Sequence, residues 1–402
     1  MNVSKWTLGL AAAGLITLPS MVQGEEKASA ILTALSSTTI SGYVNTTMEW
    51  NPGTGNGNPP TFAFNKGKQD GFNLDVVKLS IERPLDEVQW AAGYKVDLIF
   101  GPDANALATA SVPGGNVSDF GVKQAYVALR APVGNGLDFK LGVWDTIIGY
   151  ETFDAGNNPN YTRSYGHSIE PQTHTGLLIS YRFNDLIRAS AGIANTIGPV
   201  INERAQGPNL SPNGETKAES SKTYMGSIEL TAPETMGFLA RSTFYAGIVN
   251  GFSSSYGENQ TSWYVGTTIA TPIDKLRLGA SFDALDVHHL GGETWSVAGY
   301  ATCQCTDKLS LHCRAEYLRD RGDQKFFVTD TDLNPTGSTN PDRVLALTAT
   351  VQYDLWQNVV SRLELRWDHS LSGSETWGGK HDDSDPTLKN QWMLAANVIY
   401  KF

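Results

Sequence analysis

Beyond residue 24 the chain has no run of about eighteen apolar residues, which excludes a transmembrane helix. Basic residues are in short supply: 30 Lys and Arg stand against 41 Asp and Glu, a net charge of −11, which argues against a nucleic-acid partner. Cysteine is scarce as well. Three residues, Cys303, Cys305 and Cys313, in a chain of 402 cannot form a disulfide scaffold. They share one strand parity and read as small apolar thiols.

Chemistry that would mark an enzyme is missing too. No Ser-His-Asp arrangement is evident; Asp368, His369 and Ser370 are adjacent in sequence, and adjacency does not build a site. His288 and His289 would point to opposite faces of a strand and so cannot chelate together. No helix fixes the spacing of His167, Glu170 and His174 as metal ligands. The expectation is no enzyme activity, no metal and no cofactor.

What the chain does contain is glycine, 40 residues, and long stretches of alternation. Lys5, the apolar segment Trp6 to Leu18, and Pro19 read as a signal peptide over 1–24, with cleavage after Gly24 and Ala28 to Ala30 as the second choice. A short periplasmic lead-in over 25–38 follows, and alternation begins at Thr39. It predicts strands over 39–50, 72–83, 88–100, 120–131, 137–144, 174–183, 186–195, 222–232, 237–250, 261–271, 275–286, 293–304, 308–320, 343–354, 358–370 and 389–402. The number, sixteen, is even, as bacterial single-chain barrels require.

Connections alternate between short turns and long polar stretches around the chain. Soluble sandwiches have no reason to do this; outer-membrane barrels do, with short periplasmic turns and long external loops. Period two then assigns faces. Leu276, Leu278, Ala280, Phe282 and Ala284 oppose Arg277, Gly279, Ser281 and Asp283, and Leu363, Leu365 and Trp367 oppose Arg362, Glu364 and Arg366. Aromatics fall at strand ends as two girdles: Trp90, Phe183, Phe238, Tyr353, Tyr400 and Phe402 on the periplasmic side, and Trp50, Phe100, Trp144, Trp263, Trp295, Trp367 and Trp392 outside. The last strand ends on Phe402, which resembles the signal that outer-membrane assembly machinery reads.

The stretch from Trp144 to His174 is too long for an ordinary connection and too apolar, with Ile147, Ile148, Tyr150, Phe153 and Ile169, for disorder. It reads as the third external loop folded into the lumen of an all-β, transmembrane antiparallel β-barrel over 39–402. Its charged residues Asp145, Glu151, Asp154, Arg163 and Glu170 are the candidate pore constriction. Facing them from the wall are the candidate bases Lys140, Arg188, Arg241, Arg277, Arg314, Arg362 and Arg366, with Lys78, Lys95 and Arg130 beside them. Opposed charge would orient polar solutes; the blander reading of any one wall residue is a salt bridge that stiffens the barrel. The loop acids outnumber Arg163, which predicts a weak cation preference.

GYETFDAGNNPNYTRSYG from Gly149 to Gly166, followed by EPQTHTG from Glu170 to Gly176, resembles the OmpL-like family of β-barrel porins. Ser41 to Val44 and Phe72 to Pro84 are similar to that family's first strands. The resemblance implies passive diffusion of small hydrophilic solutes and ions through the bacterial outer membrane and fixes no substrate. The implied partners are outer-membrane lipid, those solutes and, through Phe402, the assembly machinery; a homotrimer stays open. Two alternatives remain. One is a porin selective for sugars or anions, with Trp144, Tyr161 and Tyr165 as an aromatic track; the other is a soluble exported β-sandwich binding protein.

Overall fold

The computed structural model describes residues 37–53, 68–107, 109–110, 118–205, 221–253, 258–288, 293–321, 343–379 and 386–402. The signal peptide over 1–24, most of the lead-in over 25–38, and His289 lie outside them.

The described strands are β1 (Thr39–Trp50), β2 (Gly71–Arg83), β3 (Ala92–Phe100) and β4 (Phe120–Ala131). Then come β5 (Leu137–Asp145), β6 (Thr173–Arg182), β7 (Ile187–Ala194) and β8 (Thr223–Thr231). Next are β9 (Thr243–Ser253), β10 (Glu258–Ala270), β11 (Leu276–Val287) and β12 (Glu293–Gln304). The chain finishes with β13 (Leu309–Arg321), β14 (Arg343–Trp356), β15 (Val359–Ser370) and β16 (Asn390–Lys401). Each pairs antiparallel with its sequence neighbours, and β1 pairs with β16 from Tyr43↔Lys401 to Trp50↔Leu394, so the sheet of 16 strands closes on itself. Closure removes every sheet edge, and with it the unpaired backbone groups that hydrocarbon would not tolerate. Phe402 completes the seam: its N–H donates to the Gly42 carbonyl at 3.0 Å, and its own carbonyl accepts from Gly42 N–H at 2.9 Å.

Burial runs opposite to that of a soluble protein. Leu363 and Leu365 are 51% and 46% exposed, while Arg362, Glu364 and Arg366 between them are buried. The same alternation holds on β14, where Leu347 and Val351 are exposed and Thr348 and Thr350 are buried. Apolar side chains that face outward all round a closed ring need a hydrocarbon solvent, which rules out the β-sandwich alternative. No described helix is long and apolar enough to cross a membrane, which leaves crossing by strands untouched.

Three features depart from the sequence reading. β3 starts at Ala92 rather than residue 88, because Trp90 holds a left-handed backbone (φ 60°) that ends the ladder. β9 starts at Thr243 rather than 237, because Glu234–Leu239 winds into a 3-10 turn with Gly237 at φ 60°. Arg241 therefore sits in that turn, paired with Glu234 at 2.7 Å and well exposed, and leaves the lumen wall. Trp144 was expected in the external girdle, but only 1% of it is exposed: its strand parity turns it inward, among Ile148, Leu178, Met225 and Val249. Trp50, Trp263 and Trp392 do face outward.

Two short helices also escaped prediction: α1 (Pro102–Leu107) after β3, and α2 (Tyr165–Ile169) inside the third loop. One turn of helix carries too little periodicity to be read from a sequence.

Candidate pore constriction

Residues 146–172, between β5 and β6, first fold against themselves. Gly149 adopts φ 120°, a conformation side chains avoid, and a Cβ there would strike the Glu170 carboxylate. Asn158 accepts from Thr152 N–H at 2.8 Å and donates to the carbonyls of Thr152 at 2.7 Å and Asp154 at 2.8 Å. Arg163 spends its guanidinium within the loop, donating to the carbonyls of Thr152 (2.8 Å), Tyr161 (2.7 Å) and Phe153 (2.9 Å). Ser164 caps α2, its hydroxyl accepting from His167 N–H at 3.1 Å.

The barrel wall supplies what the loop backbone still lacks. A buried peptide group without a partner is costly, so a loop inside a protein must find acceptors and donors. The Glu364 carboxylate accepts from the N–H groups of Tyr161 (2.6 Å) and Thr162 (2.9 Å), and Glu316 accepts from Tyr165 N–H at 2.7 Å. Arg314 donates to the Thr162 carbonyl at 2.8 Å, and Arg366 to the Arg163 carbonyl at 2.8 Å. Arg362 donates to the carbonyls of Ala155 (3.0 Å) and Asn158 (2.7 Å), and Lys401 to that of Gly156 (3.1 Å). Gly166 passes so close to β11 that a Cβ would collide with the Asp283 carboxylate.

Ion pairs add a second set of ties. Glu151 meets Arg314 at 2.8 Å. Asp154 meets Lys78 at 2.9 Å and Lys123 at 3.5 Å, and accepts from the Tyr43 hydroxyl at 3.2 Å. Burial alone would raise the Asp154 carboxyl; Lys123 and Lys78 outweigh it and hold it at about 2. Glu151 likewise lies below the usual carboxylate range, because Arg314 overcomes the cost of burial. His167 is pushed down to about 4, by burial first and by Arg163 next. Burial and the neighbouring Asp283 carboxylate push Glu170 well up.

Of the five loop residues singled out as the constriction, Glu151, Asp154, Arg163 and Glu170 are buried. Asp145 keeps a side chain 39% exposed while pairing with Lys123 at 2.5 Å. Part of the opposed charge anticipated across a water gap is in direct contact. Asp145, Glu151 and Asp154 meet Lys123, Arg314 and Lys78 on the wall, while among the described residues Glu170, Arg277 and Arg362 take no part in such pairs. On that wall Arg314, Arg362 and Arg366 are buried under the loop, Arg277 stays exposed, and Arg188 reaches Glu229 only at 3.7 Å. Lys140 lies over the Tyr126 ring at 4.8 Å.

The aromatic track is absent in this form. Trp144, Tyr161 and Tyr165 are 1%, 7% and 2% exposed, and each belongs to a different cluster, so no solute could slide along them. Tyr165 instead donates to Asp368 at 2.8 Å, and it is Tyr150 that stacks, on Tyr300 at 4.0 Å. Sequence reasoning missed Tyr43, Lys123, Glu316, Glu364 and Lys401 as loop anchors. The alternation Arg314, Glu316 and Glu364, Arg366, Asp368 on inward parity was the available signal, since adjacent inward charges of both signs need a third party to satisfy their remaining donors and acceptors.

Beneath the loop a cavity of about 780 Å³ is lined by Asp145, Thr243, Thr268, Arg277, His312 and Arg362, among others. Most of its wall residues sit near the short-turn ends of their strands.

Comparison with solved structures finds the same barrel at low identity. OprB of Pseudomonas putida aligns with a TM-score of 0.58 and 12% identity over 93% of this chain and 97% of its own. An anion-selective porin from Comamonas acidovorans gives 0.55 and 11% over 91% and 99%. In-vitro folded OmpT of Vibrio cholerae, in a trimer form, gives 0.52 and 12% over 91% and 99%. At these identities the likeness speaks for the fold alone. No curated protein sequence matches. Residues 37–402 match the model of the family described as "Putative beta-barrel porin-2, OmpL-like", so the chain belongs to that family and is an outer-membrane porin of bacteria.

Proposed function

We propose that the barrel passes small hydrophilic solutes and ions by unassisted diffusion, and that the third loop sets the width of the passage rather than its charge. The reading rests on one observation above the rest: the loop acids Asp145, Glu151 and Asp154 each touch a wall cation directly, Lys123, Arg314 and Lys78 respectively. Paired charge in a tight contact contributes little field at a distance, so the cation preference suggested by the loop acids loses its source. Asp145, partly exposed beside Lys123, is the loop-end charge best placed to touch a passing solute. Asp145, Glu151, Asp154, Arg163 and Glu170 then form the constriction by holding the loop's shape.

Fold and family are those of a channel. Phe402, at the seam, remains the proposed recognition point for assembly machinery, after removal of residues 1–24 on export. A homotrimer is supported by the trimer form of the Vibrio cholerae barrel. Purified protein added to a planar bilayer should give stepwise conductance with a reversal potential near zero in a KCl gradient. A membrane that stays silent would overturn the porin reading. A strong cation potential would overturn the paired-charge account.

A further inference from the structure

The cavity beneath the third loop has an unbalanced lining. Each carboxylate that borders it is engaged: Asp145 with Lys123 at 2.5 Å, Glu151 with Arg314 at 2.8 Å, and Glu170 hydrogen-bonded to the Asp283 carboxyl. Its cations are not. Arg277 has no carboxylate within ion-pairing distance among the described residues and is exposed. Arg362 is 5% exposed, yet its contacts are neutral oxygens: the carbonyls of Ala155 and Asn158, and Gln352 at 3.1 Å. A guanidinium carries five N–H donors, and these contacts occupy three. Burying a cation without a counter-ion is costly, so the position favours an anion arriving from solution.

A third group points the same way. His312 is 7% exposed and faces Thr302, whose hydroxyl lies 3.0 Å from Nδ1. The other ring nitrogen, Nε2, is buried with no partner among the described residues; an oxyanion would select the tautomer with its hydrogen there and the Thr302 hydroxyl donating to Nδ1. An unpartnered ring nitrogen and two guanidinium groups thus line one cavity of about 780 Å³, among the hydroxyls of Thr243 and Thr268. Both guanidinium groups lie outside ion-pairing distance of any described carboxylate, Glu364 and Asp354 being the acids nearest Arg362.

We propose that this cavity is a binding site for small oxyanion solutes, phosphate or carboxylate-bearing, held by Arg277, Arg362 and the Nε2–H of His312. The site deepens the porin reading and rests on it for its purpose: a weakly held anion raises the local concentration of that solute on the short-turn side of the loop. Weak binding is required, since a solute must also leave.

The test uses the folded, detergent-solubilised chain in phosphate-free buffer. Inorganic phosphate and, separately, succinate are titrated by calorimetry against wild type, Arg277→Gln, His312→Gln and the turn variant Arg182→Gln. Arg277 holds no loop contact, so its loss leaves the constriction standing. At least one oxyanion should bind saturably, with affinity lowered on the order of tenfold in Arg277→Gln, lowered in His312→Gln, and unchanged in Arg182→Gln. No saturable binding of either anion, or equal binding by wild type and Arg277→Gln, overturns the site. Bilayer conductance in KCl without oxyanion is recorded in parallel. Protein that conducts but binds neither anion refutes the site alone, whereas protein that binds but never conducts refutes the porin reading alone.

Discussion

The Glu151 carboxylate and the Arg314 guanidinium meet at 2.8 Å with neither side chain open to solvent. One comes from the third loop and the other from β13, so this contact is among those that fix how far the loop stands from the barrel wall. Arg314 also donates to Glu316 at 2.9 Å, to the carbonyls of Thr162 and Arg163, and to the hydroxyls of Thr162 and Thr348, which makes it a junction of loop and wall.

Glu151→Gln should therefore destabilise the barrel by about 3 kcal/mol, because truncating one partner strands a buried charge. The exposed pair of Arg182 and Asp185 supplies the contrast: Arg182→Gln should cost under about 1 kcal/mol. Urea unfolding of lipid-folded protein measures both. Equal midpoints would mean that the loop is not bolted by this contact. For the same reason Glu151→Gln combined with Asp154→Asn should loosen the loop as well as remove charge, with noisier, larger conductance as the sign.

Leu278→Arg or Leu363→Arg, on outward faces 42% and 51% exposed, should cost about 2–4 kcal/mol near the bilayer midplane. The inward control has to be chosen with care. Ser281 and Glu364 share the lumen parity but are buried, and Glu364 accepts two loop N–H groups, so arginine would not fit there. Thr243, on the cavity, should accept arginine with little loss of folding. Similar penalties at Thr243 and Leu363 would reverse the assignment of faces.

Stability should fall in two stages on acidification. His167 titrates at about 4 in the folded loop, below its unfolded value of about 6.5, so the unfolded chain binds more protons between these and stability declines as pH drops from 6.5 to 4. Asp154, at about 2 when folded and about 3.9 when unfolded, adds a second decline from pH 4 to 2. Glu170 works in the opposite sense: its carboxyl is raised, so its contribution is complete below the unfolded value and fades as pH rises. Urea midpoints taken from pH 7 to 2 test this. His167→Gln should flatten the upper stage and Asp154→Asn the lower, and a variant that leaves its own stage intact would refute the assignment.

Deleting Phe402 should lower the yield of folded, membrane-inserted protein, because two backbone hydrogen bonds to Gly42 go unmade at the seam. Heat-modifiable migration of the membrane fraction reads the outcome, and wild-type levels would contradict it.

The barrel was legible because its signals are local and repeated. Alternation along Arg362 to Trp367 states in six residues which face meets lipid, and the short turns state which strands are neighbours. The site was legible only in part. That Glu151, Asp154 and Arg163 belong together on one loop follows from the chain, but whether they face water or guanidinium groups depends on how far the loop leans across the lumen. That distance is set by contacts such as Tyr161 N–H to Glu364, between residues some two hundred positions apart, and no periodicity encodes it. Trp144 failed for a related reason: its place at a strand end resembled a girdle position, and only its parity, inward, could have corrected this.

The loop tip at Asp154 to Gly156 is gripped by Tyr43 from the first strand and by Lys401 from the last. Those two residues face each other across the seam, so their pair of grips is complete only once the cylinder has closed, whereas Lys78, Lys123 and Arg362 hold the tip from either side of it. Closing so large a span of chain is slow compared with forming hairpins. A nascent barrel can therefore carry the loop on β13 and β15 before the ring is whole, with the last two grips on its tip still apart. Closing the seam and completing the hold on the loop tip are one event, so the passage takes its final width only in the finished ring.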